Sequence, residues 1–226
     1  MTTKTTKSNL SQKFSDVHQR IADACARSGR AIDEVTLVAV SKTIDSATVE
    51  KAAHLEDGLA CHIFGENRVQ ELVRKLEVCP DQTFHMIGTL QRNKVRQVVG
   101  KVALIHSVDS QRLLEAIDAQ AQKLGIVQDV LLQVNVSGEG SKHGLEPDEV
   151  TELLDHAQAL AGVNIVGLMT MAPFVQAQDA RPYFRVLKKL GDALGLSELS
   201  MGMSNDYEVA IEEGATLIRV GSALFH

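Results

Sequence analysis

Apolar and polar positions follow two different periods along the chain. Near the start, five apolar residues recur at spacings of three and four: Leu10, Phe14, Val17, Ile21 and Cys25. This period predicts a helix from Asn9 to about Ser28 that ends at Gly29. The next stretch, Val35–Lys42, is almost continuously apolar and rich in β-branched residues, which indicates a strand covered on both faces.

From that strand onwards, strand-like runs and amphipathic helical segments alternate. The predicted strands are Val35–Lys42, His62–Gly65, Phe84–Leu90, Val102–Val108, Val130–Val136, Ile165–Met171, Leu199–Met203 and Thr216–Ser222. Such alternation, without a break in composition, implies parallel strands joined by right-handed crossovers. Eight units in about 200 residues predict one α/β domain over residues 9–226, a (β/α)8 TIM barrel with an extra N-terminal helix.

An open, doubly wound sheet is the alternative architecture. It would normally carry a glycine-rich phosphate-binding turn after its first strand, whereas this chain has Ser41-Lys42-Thr43 there. In a barrel, the carboxyl ends of all strands meet at one face, where active sites lie. The residues predicted to surround this mouth are Lys42, Glu66, Asn67, Gly88 to Gln91, Asp109, Asn135, Met169, Thr170, Ser204, Asn205 and Arg219 to Ser222.

The composition of the chain limits the kinds of partner it can bind and indicates the cellular compartment. The 226 residues are 44% hydrophobic and 23% charged, as in soluble globular proteins. A net charge of −6 argues against a nucleic-acid partner, and no apolar run approaches the roughly 18 residues that span a membrane. Three cysteines without a C-x-x-C spacing favour a reducing compartment, so we predict a cytoplasmic protein. The Thr/Lys-rich residues 1–8 are no secretory signal and are predicted to be disordered.

Lys42 is the first candidate for chemistry, because an unpaired ammonium at the end of a buried apolar strand is costly. Partial desolvation would favour its neutral amine, which is a nucleophile for carbonyl groups. The alternative is a lysine that only extends to the rim of the barrel.

Two stretches near the C terminus predict an anion site. Leu199–Asp206 is a glycine-containing strand end that turns into a helix, where free N–H groups favour an anion and Ser204 adds a hydroxyl donor. Ile218–Ser222 adds Gly221, which allows close approach to the backbone, and the N–H and hydroxyl of Ser222. Together they match the phosphate site often formed by the last two loops of a barrel. Ordinary helix capping is the alternative.

Three further residues have open roles. Arg219 lies in an apolar strand and needs an acceptor, which is either a carboxylate or a pyridine nitrogen that a donor-only guanidinium would keep unprotonated. His85 either packs beside a bound ring or is a satisfied core residue, and Lys142 is either a second amine at the mouth or a solvated loop lysine. The sequence has no metal-ligand spacing, no Gly-x-Ser-x-Gly and no Walker loop, so we predict no metal site.

Taken together, these stretches resemble one family, the pyridoxal-phosphate-binding homeostasis proteins. The matching stretches, in the order of the family, are Leu37 to Lys42, Phe64 to Asn67 with Val69 to Glu71, His85 to Lys94, Gln133 to Asn135, Lys142 with Gly144, Gly167 to Met169, Leu199 to Asp206 and Ile218 to Gly221. They span most of the chain, and the set is specific although no single motif decides.

The resemblance implies the fold of the barrel domain of alanine racemase, with pyridoxal 5′-phosphate held on Lys42 as an internal aldimine. The phosphate contacts that it implies come from Ser204, Gly221 and Ser222. It also implies Arg219 near the pyridine nitrogen, with Asn67 and Met203 lining the pocket.

Members of this family are not established catalysts and are associated with control of free pyridoxal phosphate and of amino-acid and keto-acid balance. The resemblance therefore implies a non-catalytic binding protein, which we expect to be a monomer with pyridoxal phosphate and pyridoxal-phosphate-dependent apo-enzymes as partners. The chain departs from the family at its end, Leu224-Phe225-His226, where the family commonly continues with Phe-Gly and a few more residues. The contacts of that tail are therefore not carried over.

Two other functions are compatible with the barrel. An amino-acid racemase would need a second acid or base opposite Lys42, and in alanine racemases this is a tyrosine from a C-terminal domain of the partner subunit. The tyrosines of this chain are Tyr183, within a predicted helix, and Tyr207, just past the Ser204 loop. A sugar-phosphate enzyme that uses Lys42 without a cofactor is the second alternative, and it predicts a colourless protein.

Overall fold

A computed structural model describes residues 9–138 and 143–226, so the predictions for residues 1–8 and for Lys142 lie outside the described residues. Eight parallel strands pair in chain order and close into a barrel. They are β1 (Thr36–Val40), β2 (Ile63–Glu66), β3 (Thr83–Met86), β4 (Leu104–Val108), β5 (Gln128–Gln133), β6 (Val163–Met169), β7 (Glu198–Met203) and β8 (Leu217–Val220). β8 pairs with β1, with Arg219 beside Val38, and the predicted (β/α)8 barrel is confirmed.

Helices follow the strands as predicted, with one difference. The α-helices are α1 (Asn9–Ser28), α2 (Ser46–Ala53), α3 (Val69–Val78), α4 (Gln111–Leu124), α5 (Pro147–Ala157), α6 (Ala177–Leu194), α7 (Tyr207–Glu212) and α8 (Ser222–Phe225). Between β3 and β4, where the alternation predicts an amphipathic helix, the structure has a 3-10 helix, Arg92–Gln97. Its backbone N–H groups bond three residues back, as Lys94 to the Gln91 carbonyl at 2.9 Å and Val98 to the Val95 carbonyl at 3.0 Å, which is the pattern of a 3-10 helix.

The strands bury apolar side chains on both faces. The cluster inside the barrel consists of Val38, Ile87, Leu104, Leu131, Met169 and Leu217. A larger cluster outside it lies between the sheet and the helices and includes Ala39 and Phe64. Each fully buried side chain of leucine or phenylalanine size contributes about 1.5–3 kcal/mol. Because successive strand residues face opposite sides, Val38 and Val40 point inward and Ala39 points to the helices.

The extra helix α1 packs against α7 and α8. The rings of Phe14 and Phe225 meet edge to face, with centroids 5.8 Å apart. Arg20 and Arg27 form ion pairs with Glu208 on α7. Helix α1 therefore holds in place the two helices that follow β7 and β8. Within the described ranges, no helix is long and apolar enough to cross a membrane.

Five strands, namely β1, β3, β5, β6 and β8, end two to four residues earlier than the sequence pattern predicts. β1 stops at Val40 because the Ile44 N–H donates to the Ser41 carbonyl at 3.0 Å and begins a turn. β8 stops at Val220, and α8 begins at Ser222, which was predicted to end the strand. Lys42 and Ser222 thus lie in connections rather than in strands.

Candidate functional site at the mouth of the barrel

A cavity of about 380 Å³ lies at the carboxyl ends of the strands. Seven of the eight residues predicted for the site line it: Lys42, Asn67, Met203, Ser204, Arg219, Gly221 and Ser222. The eighth, His85, is buried below it and does not line it. Residues that are up to 180 positions apart in sequence are thereby brought together, as the meeting of strand ends at one barrel face predicts.

Lys42 faces the cavity from the turn after β1. It continues the inward-facing series of Val38 and Val40, because alternate residues of a strand share a side. Its side chain is exposed, so the expectation of a desolvated lysine at a strand end is wrong: β1 ends two residues earlier, and the turn carries the amine above the apolar interior. Within the described ranges, no carboxylate pairs with it.

The Ser204 loop and the end of β8 form a cluster of hydrogen-bond donors. Ser204 Oγ accepts hydrogen bonds from the backbone N–H groups of Gly221, at 3.1 Å, and Ala223, at 3.4 Å. These hydrogen bonds hold the connection after β7 against the connection after β8. Because these two N–H groups point to the same place, they and the Ser204 hydroxyl proton would converge on an anion bound there, with the N–H and hydroxyl of Ser222, which lines the same cavity. Such a concavity is of the kind that binds phosphate.

Arg219 is buried at the cavity floor, and its hydrogen bonds go to neutral acceptors. Nη1 donates to Ser200 Oγ at 2.5 Å and Nη2 donates to the Thr170 carbonyl at 2.8 Å. Burial lowers the pKa of Arg219 to about 10, against the attraction of the Asp206 carboxylate. The guanidinium is therefore cationic at neutral pH. Two of its five N–H donors are used by described residues, and the side chain lines the cavity.

Two buried histidines extend the hydrogen bonding of Arg219 into the barrel. His106 Nδ1 lies 2.8 Å from Ser200 Oγ, and His106 Nε2 lies 3.0 Å from His85 Nδ1. Because Arg219 can only donate, we assign the Ser200 hydroxyl proton to His106 Nδ1 and the His106 Nε2 proton to His85. Burial lowers the pKa of His85 to about 4, and burial with the charges of His85 and Arg219 lowers the pKa of His106 well below its usual value.

Both histidines are therefore neutral near pH 7, and His85 has the core position that was one of its two predicted roles. Sequence reasoning missed His106 and Ser200. The available signal was a polar residue within each apolar strand, namely His106 in Leu104–Val108 and Ser200 in Glu198–Met203.

Asp206 closes the turn that carries Ser204. Its Oδ1 accepts from the Met203 N–H at 2.6 Å, and its own N–H donates to the Met203 carbonyl at 3.0 Å. Burial raises the pKa of Asp206, while the Met203 N–H and Arg219 oppose that rise. Asp206 lines the cavity, and its charge acts on the Arg219 guanidinium, a role that its place in a capping pattern did not indicate.

The remaining wall is formed by residues with no signal in the sequence. The loop from Met171 to Val175 lines one side, and Phe174 within it is 92% exposed. On the other side, His226 Nε2 lies 3.0 Å from Thr43 Oγ1. An apolar loop and a terminal histidine have no spacing that marks a site, so only the closed barrel brings them to the mouth.

The arrangement presents an exposed amine, a cluster of N–H donors and a buried cation to one cavity. An aldehyde that also carries a phosphate and an acceptor nitrogen would use all three, so the donor set fits the group that the sequence motifs imply. Within the described ranges, no three His, Cys, Asp or Glu side chains are grouped closely enough to hold a metal ion.

The fold and its mouth define a class of protein. Residues 18–226 match the family model described as alanine racemase, N-terminal domain. A solved alanine racemase of Clostridium difficile 630 superposes with a TM-score of 0.73 at 14% identity, covering 95% of this chain and 55% of that chain. At this identity the likeness concerns the fold alone. The class is that of alanine-racemase-like N-terminal barrels.

Two closer relatives narrow this class. The pyridoxal phosphate homeostasis protein of Aquifex aeolicus is 45% identical over 226 residues, which cover 96% of this chain and 97% of the relative. The structure of PipY from Synechococcus elongatus with PLP bound superposes with a TM-score of 0.78 at 37% identity, covering 93% of this chain and 100% of that chain. The chain belongs to the pyridoxal phosphate homeostasis protein family, as its motifs predicted.

Proposed function

We propose that this protein binds pyridoxal 5′-phosphate, holds it on Lys42 as a Schiff base and serves as a carrier in cofactor homeostasis. The observation that supports this most strongly is the convergence of Lys42, Arg219 and the Ser204 donor cluster on one cavity. The name of the Aquifex relative and the PLP-bound structure of PipY add support. Pyridoxal-phosphate-dependent apo-enzymes are the proposed recipients.

Each part of the cofactor has a proposed partner. The amine of Lys42 condenses with the aldehyde and releases water, a reversible step that suits storage. Ser204, Gly221 and Ser222 bind the phosphate. Arg219 donates to the pyridine nitrogen and keeps it unprotonated, which makes the ring a weaker electron sink than one paired with a carboxylate.

Of the other predicted contacts, two are proposed to be direct and one indirect. Asn67 and Met203 line the pocket beside the ring, since both lie on the cavity wall. His85 acts from below, by supporting Arg219 through His106 and Ser200, rather than by touching the ring.

A carrier is favoured over an amino-acid racemase by the positions of the two tyrosines. Tyr207 is fully buried and Tyr183 lies on α6, and neither lines the cavity. Burial raises the pKa of Tyr207 to about 12, so its phenol holds its proton near neutral pH. Neither tyrosine can therefore supply the second base that two-base racemisation requires.

The test is the absorption spectrum of purified protein with added pyridoxal phosphate. We expect a visible band that disappears in Lys42→Ala and on reduction with borohydride, which should leave the cofactor covalently attached to a peptide containing Lys42. The matched control is Lys51→Ala, since Lys51 is also exposed but does not line the cavity. A wild-type protein that stays colourless, or equal behaviour of the two variants, would contradict the proposal.

Racemase activity is tested separately on the loaded protein with alanine enantiomers. We expect turnover far below the usual enzyme range of roughly 1–10³ per second. Turnover within that range, lost in Lys42→Ala, would replace the carrier by a racemase.

A further inference from the structure

A fully buried ion pair lies behind the turn that carries Lys42. Glu66, at the end of β2, is 0% exposed, and Lys75, on α3, is 2% exposed. Lys75 Nζ donates to Glu66 Oε1 at 2.5 Å. They belong to the layer between the sheet and α3 that also buries Phe64 of β2 and Leu72 of α3. A buried pair costs more desolvation than apolar residues of the same volume would, so its presence calls for a role other than stability.

The pair holds the peptide group that joins Ser41 to Lys42. Lys75 Nζ donates to the Ser41 carbonyl at 2.5 Å, and Ser41 Oγ donates to Glu66 Oε1 at 2.6 Å. The same carbonyl accepts from the Ile44 N–H. The Lys75 ammonium thus fixes the plane of the peptide bond between Ser41 and Lys42.

The two sides of this turn have different tasks. Ser41 is buried and bonds to the layer between the sheet and α3, while Lys42 faces the cavity. The backbone of Glu66 is itself fixed, since its carbonyl accepts from the N–H groups of Ile87, at 3.0 Å, and Gly88, at 3.3 Å. The turn is therefore anchored to β2, β3 and α3 on its outer side and presents the amine on its inner side.

The second carboxylate oxygen of Glu66 indicates that the pair does not serve stability alone. Glu66 Oε2 is buried and, within the described ranges, has no hydrogen-bond partner. A buried acceptor without a donor costs free energy. Apolar residues would fasten α3 to the barrel without that cost, but they could not hold the Ser41 carbonyl.

We propose that Glu66 and Lys75 are positioning residues that hold the Ser41–Lys42 turn so that the Lys42 amine faces the bound aldehyde. This inference rests on the proposed function and adds the device that orients its reactive group. Neither side chain touches the cavity, and both act through the Ser41–Lys42 peptide group.

The experiment compares two neutral double variants with the wild type. In Glu66→Met with Lys75→Met, both charges are replaced by apolar chains of similar length. In Glu66→Gln with Lys75→Met, an acceptor for the Ser41 hydroxyl remains and only the donor to the Ser41 carbonyl is lost. Three quantities are measured: the thermal midpoint, the dissociation constant for pyridoxal phosphate from a spectral titration, and the fraction trapped by borohydride at fixed ligand concentration.

We expect both variants to fold, with thermal midpoints within about 5 °C of the wild type. Their dissociation constants should rise roughly tenfold, with a matching fall in trapped adduct, as when an outer partner of a binding group is lost. The control is Leu72→Ala, one turn away on α3 and fully buried, which should lower the thermal midpoint and leave affinity within about twofold at a temperature where it is folded.

Each outcome decides the matter. A folded double variant with wild-type affinity and trapping would overturn the positioning role and leave the proposed function intact. Loss of affinity in Leu72→Ala equal to that in the doubles would show a general effect of helix packing and overturn it as well. Failure of both doubles to fold would make the pair a requirement for folding instead. A wild-type protein that binds no pyridoxal phosphate would contradict the proposed function itself.

Discussion

At the scale of single residues, Tyr207 combines complete burial with an unused polar group. Among the described residues, Tyr207 has the largest fully buried side chain. Its hydroxyl has no hydrogen-bond partner within the described ranges. Arg20 lies over its ring, with Cζ 5.2 Å from the centroid. The ring thus stabilises the fold by packing, while the hydroxyl destabilises it because it loses its hydrogen bonds to water and gains none in the protein.

Tyr207→Phe should therefore raise the free energy of unfolding by about 0.5–1 kcal/mol, because it removes the orphaned hydroxyl and keeps the ring. Urea unfolding measures this, and Tyr183→Phe on α6 is the control, expected within about 0.5 kcal/mol of the wild type. Cofactor affinity should not change. Lower stability in Tyr207→Phe would mean that the hydroxyl has a partner, and lost cofactor binding would place it at the site.

Single residues were predicted where their strand position determines their direction. The place of Lys42 at the carboxyl end of the first strand predicted that it lies at the mouth, and the apolar strand around Arg219 indicated that the guanidinium is enclosed. Roles that depend on partners from distant strands were not predictable. Lys75 is an example: it lies on the buried face of α3 at three residues from Leu72, but only the fold shows that Glu66 and the Ser41 carbonyl meet it there.

At the scale of elements, the bounds of the first helix were predicted better than the ends of the strands. The bounds predicted for α1 from its apolar stripe, Asn9 to Ser28, agree with the structure. Strand ends at the mouth differ because tertiary contacts terminate them. β3 ends at Met86, where both Ile87 and Gly88 donate to the Glu66 carbonyl, and a Cβ on Gly88 would lie 2.2 Å from the Asn67 carbonyl oxygen. Such close approach is not encoded in hydrophobic periodicity.

The helices around the last two strands are joined by one carboxylate. Glu212 on α7 accepts from Arg27 Nε on α1, at 2.7 Å, through Oε1, and from Arg181 Nη2 on α6, at 2.6 Å, through Oε2. Both acceptor atoms are therefore engaged by different helices. An ion pair that bridges elements is worth more than one between neighbouring turns of a helix, because it constrains their docking as well as local conformation.

Glu212→Gln should lower the free energy of unfolding by about 1 kcal/mol, because the amide keeps one acceptor oxygen and turns an N–H group towards the other guanidinium. The loss stays at this size because Arg27 and Arg181 keep their second carboxylates, Glu208 and Glu213. The matched control is Asp192→Asn, which breaks the exposed Lys188–Asp192 pair within α6 and should cost less than about 0.5 kcal/mol. Denaturant unfolding at low and high salt measures both. The cost of Glu212→Gln should shrink at high salt because the site is only partly shielded. Equal costs for the two variants would show that bridging α1 and α6 adds nothing.

At the scale of the whole molecule, topology was predictable because it follows from alternation alone. Eight strand-and-helix units without a break allow few arrangements, and right-handed crossovers select the barrel. The mouth followed from the barrel, which is why seven of the eight predicted site residues share one cavity. The interior of the barrel was not predictable to the same degree, since a polar layer of His85, His106, Ser200 and Arg219 arises from strand register rather than from any local pattern.

That polar layer couples protonation to the stability of the whole fold. The pKa of His85 is about 4 in the folded protein because of burial, against an ordinary value of about 6.5 in the unfolded chain. Well above pH 6.5 neither state binds the proton, and this contribution is absent. As the pH falls from 6.5 towards 4, the unfolded chain takes up a proton that the folded protein refuses, so stability is progressively lost. Carboxylates titrate mainly below about pH 5, which leaves pH 5.5–7.5 as the window for histidines.

His85→Gln should remove part of this pH dependence, because the amide can still accept from His106 Nε2 but does not titrate. By linkage, the His85 contribution to the loss between pH 7.5 and 5.5 is roughly 1 kcal/mol. The wild type should therefore lose about that much more than the variant across this window, as measured by urea unfolding at both values. His54→Gln is the control at an exposed site, and it should follow the wild type. Since other histidines, including His18 with its burial-lowered pKa, contribute equally to both proteins, the difference between them isolates His85. Parallel losses in wild type and His85→Gln would mean that this ring is protonated in the folded barrel, and the direction assigned to the hydrogen bonds beneath Arg219 would have to be reversed.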